Sequence, residues 1–293
     1  MTAMKKLLYI IPALVLMLSS CNGFFELDNH ESYNAQITGK FIEADGTPIQ
    51  MESYDVSDYI WIIPGVYGYE VNGPQAGYIQ AYELGWDSEA AQNWFVKFDG
   101  TYTNNLVFAG KYRLDFSKLP VYPLEKAPEV EIKKGANTFD FQMVPYARVK
   151  NVEITFVDGK FKITCNPESS NIEKINGINE VKVMVGTDKF ICTATNNIKD
   201  DTAVISGGWG LLPSGAQQTL YVDPSNIANE AQFKYERAHY FRVGVKAQKQ
   251  DWTNPANNIN NDGLYNYSEI FKVTPTYSGG KITGIASVEK VTF

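Results

Sequence analysis

The run Phe241-Arg242-Val243-Gly244-Val245-Lys246-Ala247 places an apolar residue at every second position, and this period constrains the fold most. Successive side chains of a strand point to opposite faces, so such a run buries one face against a core. The same period recurs along the chain. Ile37, Gly39 and Phe41 alternate with Gln36, Thr38 and Lys40; Trp94, Val96 and Phe98 share a face, as do Phe139, Phe141 and Met143. Residues 59–63 are apolar on both faces and predict a central strand. Further strands are expected after Gly110, over 149–157, 160–165, 203–206 and 270–273, and from 281 onward. Residues 224–231 read as at most one helical turn.

Turn residues punctuate these runs. Asp45-Gly46-Thr47-Pro48 supplies a positive-φ glycine and a fixed proline exit. Pro64-Gly65 and Asn72-Gly73-Pro74 end strands, and Thr103-Asn104-Asn105 predicts a turn ahead of Gly110. Asp158-Gly159, Asn176-Gly177 and Gly186-Thr187-Asp188 mark hairpins. Val144-Pro145-Tyr146 is a boundary, because proline cannot continue a central strand. The expectation is an all-β chain of two tandem β-sandwiches, over residues 35–145 and 146–293. An aromatic content of 13% in a 293-residue chain suits that class.

The amino terminus bears on location. Lys5 and Lys6 precede an apolar run over residues 7–18, too short for the ~20 residues of a membrane span. Leu18-Ser19-Ser20-Cys21 resembles the lipobox of bacterial lipoproteins. That resemblance implies removal of residues 1–20, a lipid on the Cys21 thiol, and a tether over residues 21–34. Glu26, Asp28 and Glu31 resemble the acidic signals that send some lipoproteins to the outer surface. The expected site is the outer membrane, at the cell surface, with the membrane contacted through the lipid. Loss of residues 1–20 leaves 24 basic against 33 acidic residues, a net charge of −9. Such a chain is repelled by nucleic acid and by anionic lipid surfaces. Cys165 and Cys192 then remain. An oxidising envelope permits them to pair, yet both fall on strand positions read as inward (Ile163/Cys165, Phe190/Cys192), where a free thiol packs as a small hydrophobe.

Ile37-Thr38-Gly39, the Asp45-Gly46-Thr47-Pro48 turn and Gly110-x-Tyr112-x-Leu114 together resemble the carboxypeptidase-regulatory, prealbumin-like sandwich. The strand at Phe241 resembles the penultimate strand of an immunoglobulin or fibronectin III-like sandwich, with Phe241 where those families place a corner tyrosine. A lipobox followed by these two sandwiches resembles a family of Bacteroidetes outer-membrane lipoproteins of unassigned function, found beside starch-utilisation-type glycan uptake systems. Val96-x-Phe98-x-Gly100-Thr101-Tyr102-Thr103-Asn104, Gly110-Lys111-Tyr112-Arg113 and Asn266-Tyr267-Ser268-x-Ile270 extend the likeness. It implies an accessory surface protein, with outer-membrane glycan transporter proteins as partners.

Catalytic chemistry has little to work with. The two histidines, His30 and His239, fall in the tether and at a strand start, and no His-Glu-x-x-His set occurs. Neither metal nor cofactor is expected. Glu83, Asp87 and Glu89, and Glu173 with Glu180, are the acid groups a glycosidase could use, but they read as solvated loop residues. The Asn-rich stretch 254–266 has too few carboxylates for calcium and reads as a solvated hairpin. Aromatics carry the positive argument, because sugar faces stack on Trp and Tyr while amides and acids meet the hydroxyls. Trp61 and Trp94 read as core. Trp86, Trp209 and Trp252 lie beside glycine or asparagine, and Tyr67, Tyr69, Tyr78 and Tyr82 lead to Trp86. The glycan-binding candidates are therefore Trp86, Tyr69, Tyr78, Tyr82, Trp209 and Trp252. The expected function is non-catalytic binding of a polysaccharide or oligosaccharide. The alternatives are a protein-interaction module of a surface or fimbria-like assembly and, third, a glycoside hydrolase.

Overall fold

The computed structural model describes residues 32–52, 77–87, 89–171, 177–196, 198, 200–207, 211–248 and 264–292. Strands dominate, arranged as two sandwiches with separate cores. The strands expected over 59–63 and ending at Val71 lie outside the described residues.

The first sandwich opposes two sheets. One is built on β1 (Ala35–Ile42), which pairs antiparallel with β4 (Thr101–Val107) and parallel with β7 (Gly135–Thr138) and β8 (Phe141–Gln142). The other has the order β3 (Ala91–Phe95), β2 (Tyr78–Glu83), β5 (Gly110–Asp115), β6 (Glu129–Ile132). The alternation in β1 buries Ile37 and Phe41 completely. Gly39 lies in the same row, and a Cβ there would stand 1.8 Å from the Phe139 carbonyl oxygen. Its absence lets the buried Tyr102 ring cross β1 and donate to that carbonyl at 2.7 Å. Trp94 and Tyr112 meet across the other sheet with ring centres 5.5 Å apart. Each such side chain, fully buried, contributes about 1.5–3 kcal/mol of transfer free energy.

In the second sandwich, β9 (Ala147–Val157), β10 (Lys160–Ser169) and β13 (Gln218–Val222) form a three-stranded sheet centred on β10. Asp158 and Gly159 join β9 to β10 with φ of 51° and 79°. The facing sheet runs β12 (Val204–Ser206), β11 (Gly177–Gly186), β14 (His239–Gln248), β16 (Ile270–Ser278), β17 (Lys281–Val291), with β15 (Asn266–Tyr267) also on β14. Phe161, Ile163 and Cys165 face Val181, Val183 and Val185 and the apolar positions of β14 in one core. The single helical turn, α1 (Glu230–Phe233), stacks Phe233 on Phe161.

Several expectations are corrected. Thr103, Asn104 and Asn105 lie inside β4 and make no turn. The Asn104 side chain instead accepts from the Leu106 amide, where the register with β1 shifts. The strand expected through Phe139, Phe141 and Met143 divides into β7 and β8. Phe190 is exposed and Cys192 caps a short 3₁₀ turn (Thr193–Thr195), so neither belongs to a strand. Cys165 and Cys192 are both buried and are not joined in a disulfide, and burial pushes the Cys165 thiol up to about 12.

The junction between the sandwiches carries the largest surprise. By its period, Arg242 faces away from the core of the second sandwich, yet it is fully buried. Its guanidinium donates to the carbonyls of Ser268 (3.1 Å) and Ile191 (3.0 Å) in its own sandwich. It also donates to Gln50 Oε1 (2.6 Å) and the Phe98 carbonyl (3.1 Å) of the first. It lies 4.3 Å from the Tyr267 ring centre, and the Tyr267 hydroxyl donates to Glu52. Burial lowers the Arg242 pKa to about 10, opposed by Tyr267 and Glu52. Asn266 bridges as well, accepting from the Ala147 amide and donating to the Pro120 carbonyl, both at 3.1 Å. Arg148 Nε reaches both carboxylate oxygens of Glu43 at 3.0 and 2.7 Å. Asn266 was expected in a solvated hairpin; it is a buried strut of the junction.

Candidate functional site

The sheet β3-β2-β5-β6 turns one face to the core and the other to solvent. Ile79 and Ala81 of β2, Trp94 of β3, and Tyr112 and Leu114 of β5 point inward and are buried. Strand alternation therefore sends Gln80 and Tyr82, Ala91, Asn93 and Phe95, and Lys111, Arg113 and Asp115 outward. Val130 and Ile132 of β6 fill the core, leaving Glu129 and Glu131 exposed.

Register arranges these residues in rows. Tyr82 sits opposite Ala91 on one side and Arg113 on the other, and Arg113 opposite Glu129. Gln80 sits between Asn93 and Asp115. Tyr78 is opposite Phe95. Same-face rows in a strand are about 7 Å apart, so the Tyr82 and Phe95 rows lie about 14 Å apart with two amides between them.

The Arg113 guanidinium lies 4.3 Å over the Tyr82 ring and pairs with Glu89 at 2.5 Å. The Glu89 hydrogen bond raises the Arg113 pKa above its ordinary value. This clamp holds the Tyr82 ring against one cation. Phe95, 47% exposed, offers a second aromatic surface. Beyond Tyr82 the chain enters the β2–β3 loop through Gly85, whose φ of 105° only glycine adopts without strain, and Trp86 stands 67% exposed in that loop.

The candidates divide accordingly. Trp86 and Tyr82 lie on this face or at its end. Tyr78 is 6% exposed and packed edge-on against Phe95, so its ring cannot stack on a ligand. Burial also raises its pKa. Tyr69, Trp209, Trp252 and Cys21 lie outside the described residues, as do Trp61, Tyr67, Glu173 and residues 254–263. Trp94 is core. Of the acids, Glu89 is engaged by Arg113, Glu83 sits opposite Tyr112, and Glu180 accepts from Tyr265. His239 begins β14, buried between Gln232 and Tyr277, and burial lowers its pKa to about 4. Gln80, Asn93, Phe95 and Arg113 were not anticipated. The polar half of each strand's alternation is the signal that points to them.

No curated protein matches the chain. Its fold is similar to that of solved structures from Bacteroides and Parabacteroides. One is described as a "putative carbohydrate binding protein" from Bacteroides uniformis (21% identity, 82% of this chain and 99% of that one, TM-score 0.60). Two others are DUF3823 family proteins. That from Parabacteroides merdae is 19% identical, over 83% of this chain and 99% of its own, with a TM-score of 0.57. That from Bacteroides ovatus is 18% identical, over 82% and 98%, with a TM-score of 0.54. At these identities the likeness is one of fold. Residues 35–144, the span of the first sandwich, match the N-terminal domain of DUF3823, a family of proteins of unknown function.

Proposed function

We propose that the chain is a non-catalytic glycan-binding lipoprotein of the bacterial cell surface, accessory to an outer-membrane polysaccharide uptake system. Residues 1–20 are its signal peptide, Cys21 its lipidation site, and residues 21–34 the tether to two domains over 35–145 and 146–293. The observation that carries the binding reading is the solvent face of the β3-β2-β5-β6 sheet. Tyr82 under Arg113 and the exposed Phe95 flank Gln80 and Asn93, so aromatic surfaces for sugar C–H faces alternate with amides for hydroxyls. Trp86 extends that surface into the loop. The carbohydrate-binding description of the Bacteroides uniformis protein supports the same reading.

Affinity electrophoresis through gels containing plant or host polysaccharides tests it. At least one polysaccharide retards the parent, and Tyr82→Ala combined with Phe95→Ala abolishes the retardation. A parent that no polysaccharide in a broad panel retards overturns the reading. Labelled palmitate incorporated by the parent and lost in Cys21→Ser tests the anchor separately.

A further inference from the structure

We infer that the ligand of this face is a neutral polysaccharide, discriminated from uronate-bearing and sulfated chains by the carboxylates around Tyr82; this rests on the glycan-binding reading above. The outward positions carry two cations, Lys111 and Arg113, and three carboxylates, Asp115, Glu129 and Glu131, with Glu89 reaching in from the loop. Each cation already has an acid beside it. Lys111 is opposite Glu131, and Arg113 is opposite Glu129 and paired with Glu89. A bidentate guanidinium is the group best suited to a ligand carboxylate or sulfate. Here that guanidinium is held by Glu89 and laid over Tyr82, so an incoming anion must displace Glu89 and meet an excess of like charge.

Sugar hydroxyls face no such barrier. They donate to Asp115, Glu129 and Glu131, and accept from Lys111 and the amides of Gln80 and Asn93. Charge-assisted hydrogen bonds are the stronger kind, so the same carboxylates that repel an anion retain a neutral chain. The chain without residues 1–20, net −9, adds repulsion in the same sense.

The test compares a polysaccharide that retards the parent with the same polymer oxidised at C6 to the uronate, in low salt. The neutral form is expected to bind at least ten times more tightly. Raising salt to about 0.5 M narrows the gap, since screening weakens the repulsion. Glu89→Gln, which uncovers Arg113, narrows it at least threefold in low salt. That narrowing separates charge exclusion from simple loss of the C6 hydroxyl. Equal or tighter binding of the oxidised form, or a gap that neither salt nor Glu89→Gln changes, overturns the neutral assignment while leaving glycan binding intact. Failure of both polymers to bind overturns the parent reading instead.

Discussion

The Tyr267 hydroxyl donates to the Glu52 carboxylate at 2.5 Å across the junction of the two sandwiches. Thr193 donates to the same carboxylate at 2.7 Å, and the Arg242 guanidinium lies over the Tyr267 ring. A cation, a phenol and an acid from both halves of the chain thus share one water-poor site. Charges so placed are tolerated when every partner is present and become costly when one is removed.

Arg242→Met should therefore destabilise the protein by about 3–5 kcal/mol, because it leaves Glu52 without its buried counter-charge and empties four carbonyl and amide acceptors. Urea unfolding followed by tryptophan fluorescence measures this. The parent should unfold in one transition and the variant in two, as the sandwiches lose their shared network.

Acid should weaken the fold through His239. The unfolded imidazole takes up a proton below its ordinary pKa of 6.5, whereas the folded one does so near 4. Between these values the unfolded state binds more protons, so stability falls as pH drops from 6.5 towards 4 and this contribution is flat above 6.5. The full loss is roughly 3 kcal/mol. The groups facing the ring are Gln232, Tyr277, Phe233 and the Arg237 charge, and none is an acid that would offset protonation. Unfolding free energies at pH 4.5 and 7 should differ less in His239→Gln than in the parent.

Neighbouring tyrosines of β2 should separate binding from stability. Tyr82→Ala should abolish glycan retardation with little change in unfolding midpoint. Tyr78→Ala should lower stability by about 3 kcal/mol, the range for truncating a buried aromatic. Gel retardation and thermal melts on the same two proteins decide the point.

Gly39→Ala should prevent the first sandwich from closing. The new methyl would overlap the Phe139 carbonyl at 1.8 Å and the Tyr102 hydroxyl at 2.6 Å, and the carbonyl belongs to backbone that cannot swing away. Near-ultraviolet circular dichroism should show lost aromatic packing, with Thr38→Ala as the tolerated neighbour.

Apolar periodicity makes the inward half of the fold legible. Ile37 and Phe41, Trp94 and Val96, and Val243, Val245 and Ala247 all face a core, because a slip of one residue would expose every one of them. What period-2 patterning cannot carry is the identity of whatever covers the other face. Arg242 and Lys246 look equally solvated by position, yet Gln50, Phe98 and Tyr267 enclose the first while the second is part-exposed. Asn266 reads as loop from its asparagine-rich surroundings, although its amide is spent on Pro120 and Ala147. Asn104 misleads in the opposite sense, since its side chain satisfies the Leu106 amide and lets the strand continue through a turn-like triplet. For the site, Trp86 and Tyr82 are visible as aromatics near glycine. Phe95 and Arg113 are not, because only strand pairing brings Arg113 beside Tyr82 and Phe95 onto the same face.

The placement of β1 has a mechanical consequence. It lies mid-sheet, hydrogen-bonded to β4 on one edge and to β7 and β8 on the other. A load applied along β1 from Ala35 shears both rows of backbone bonds at once, where a strand paired on one side would resist with a single row.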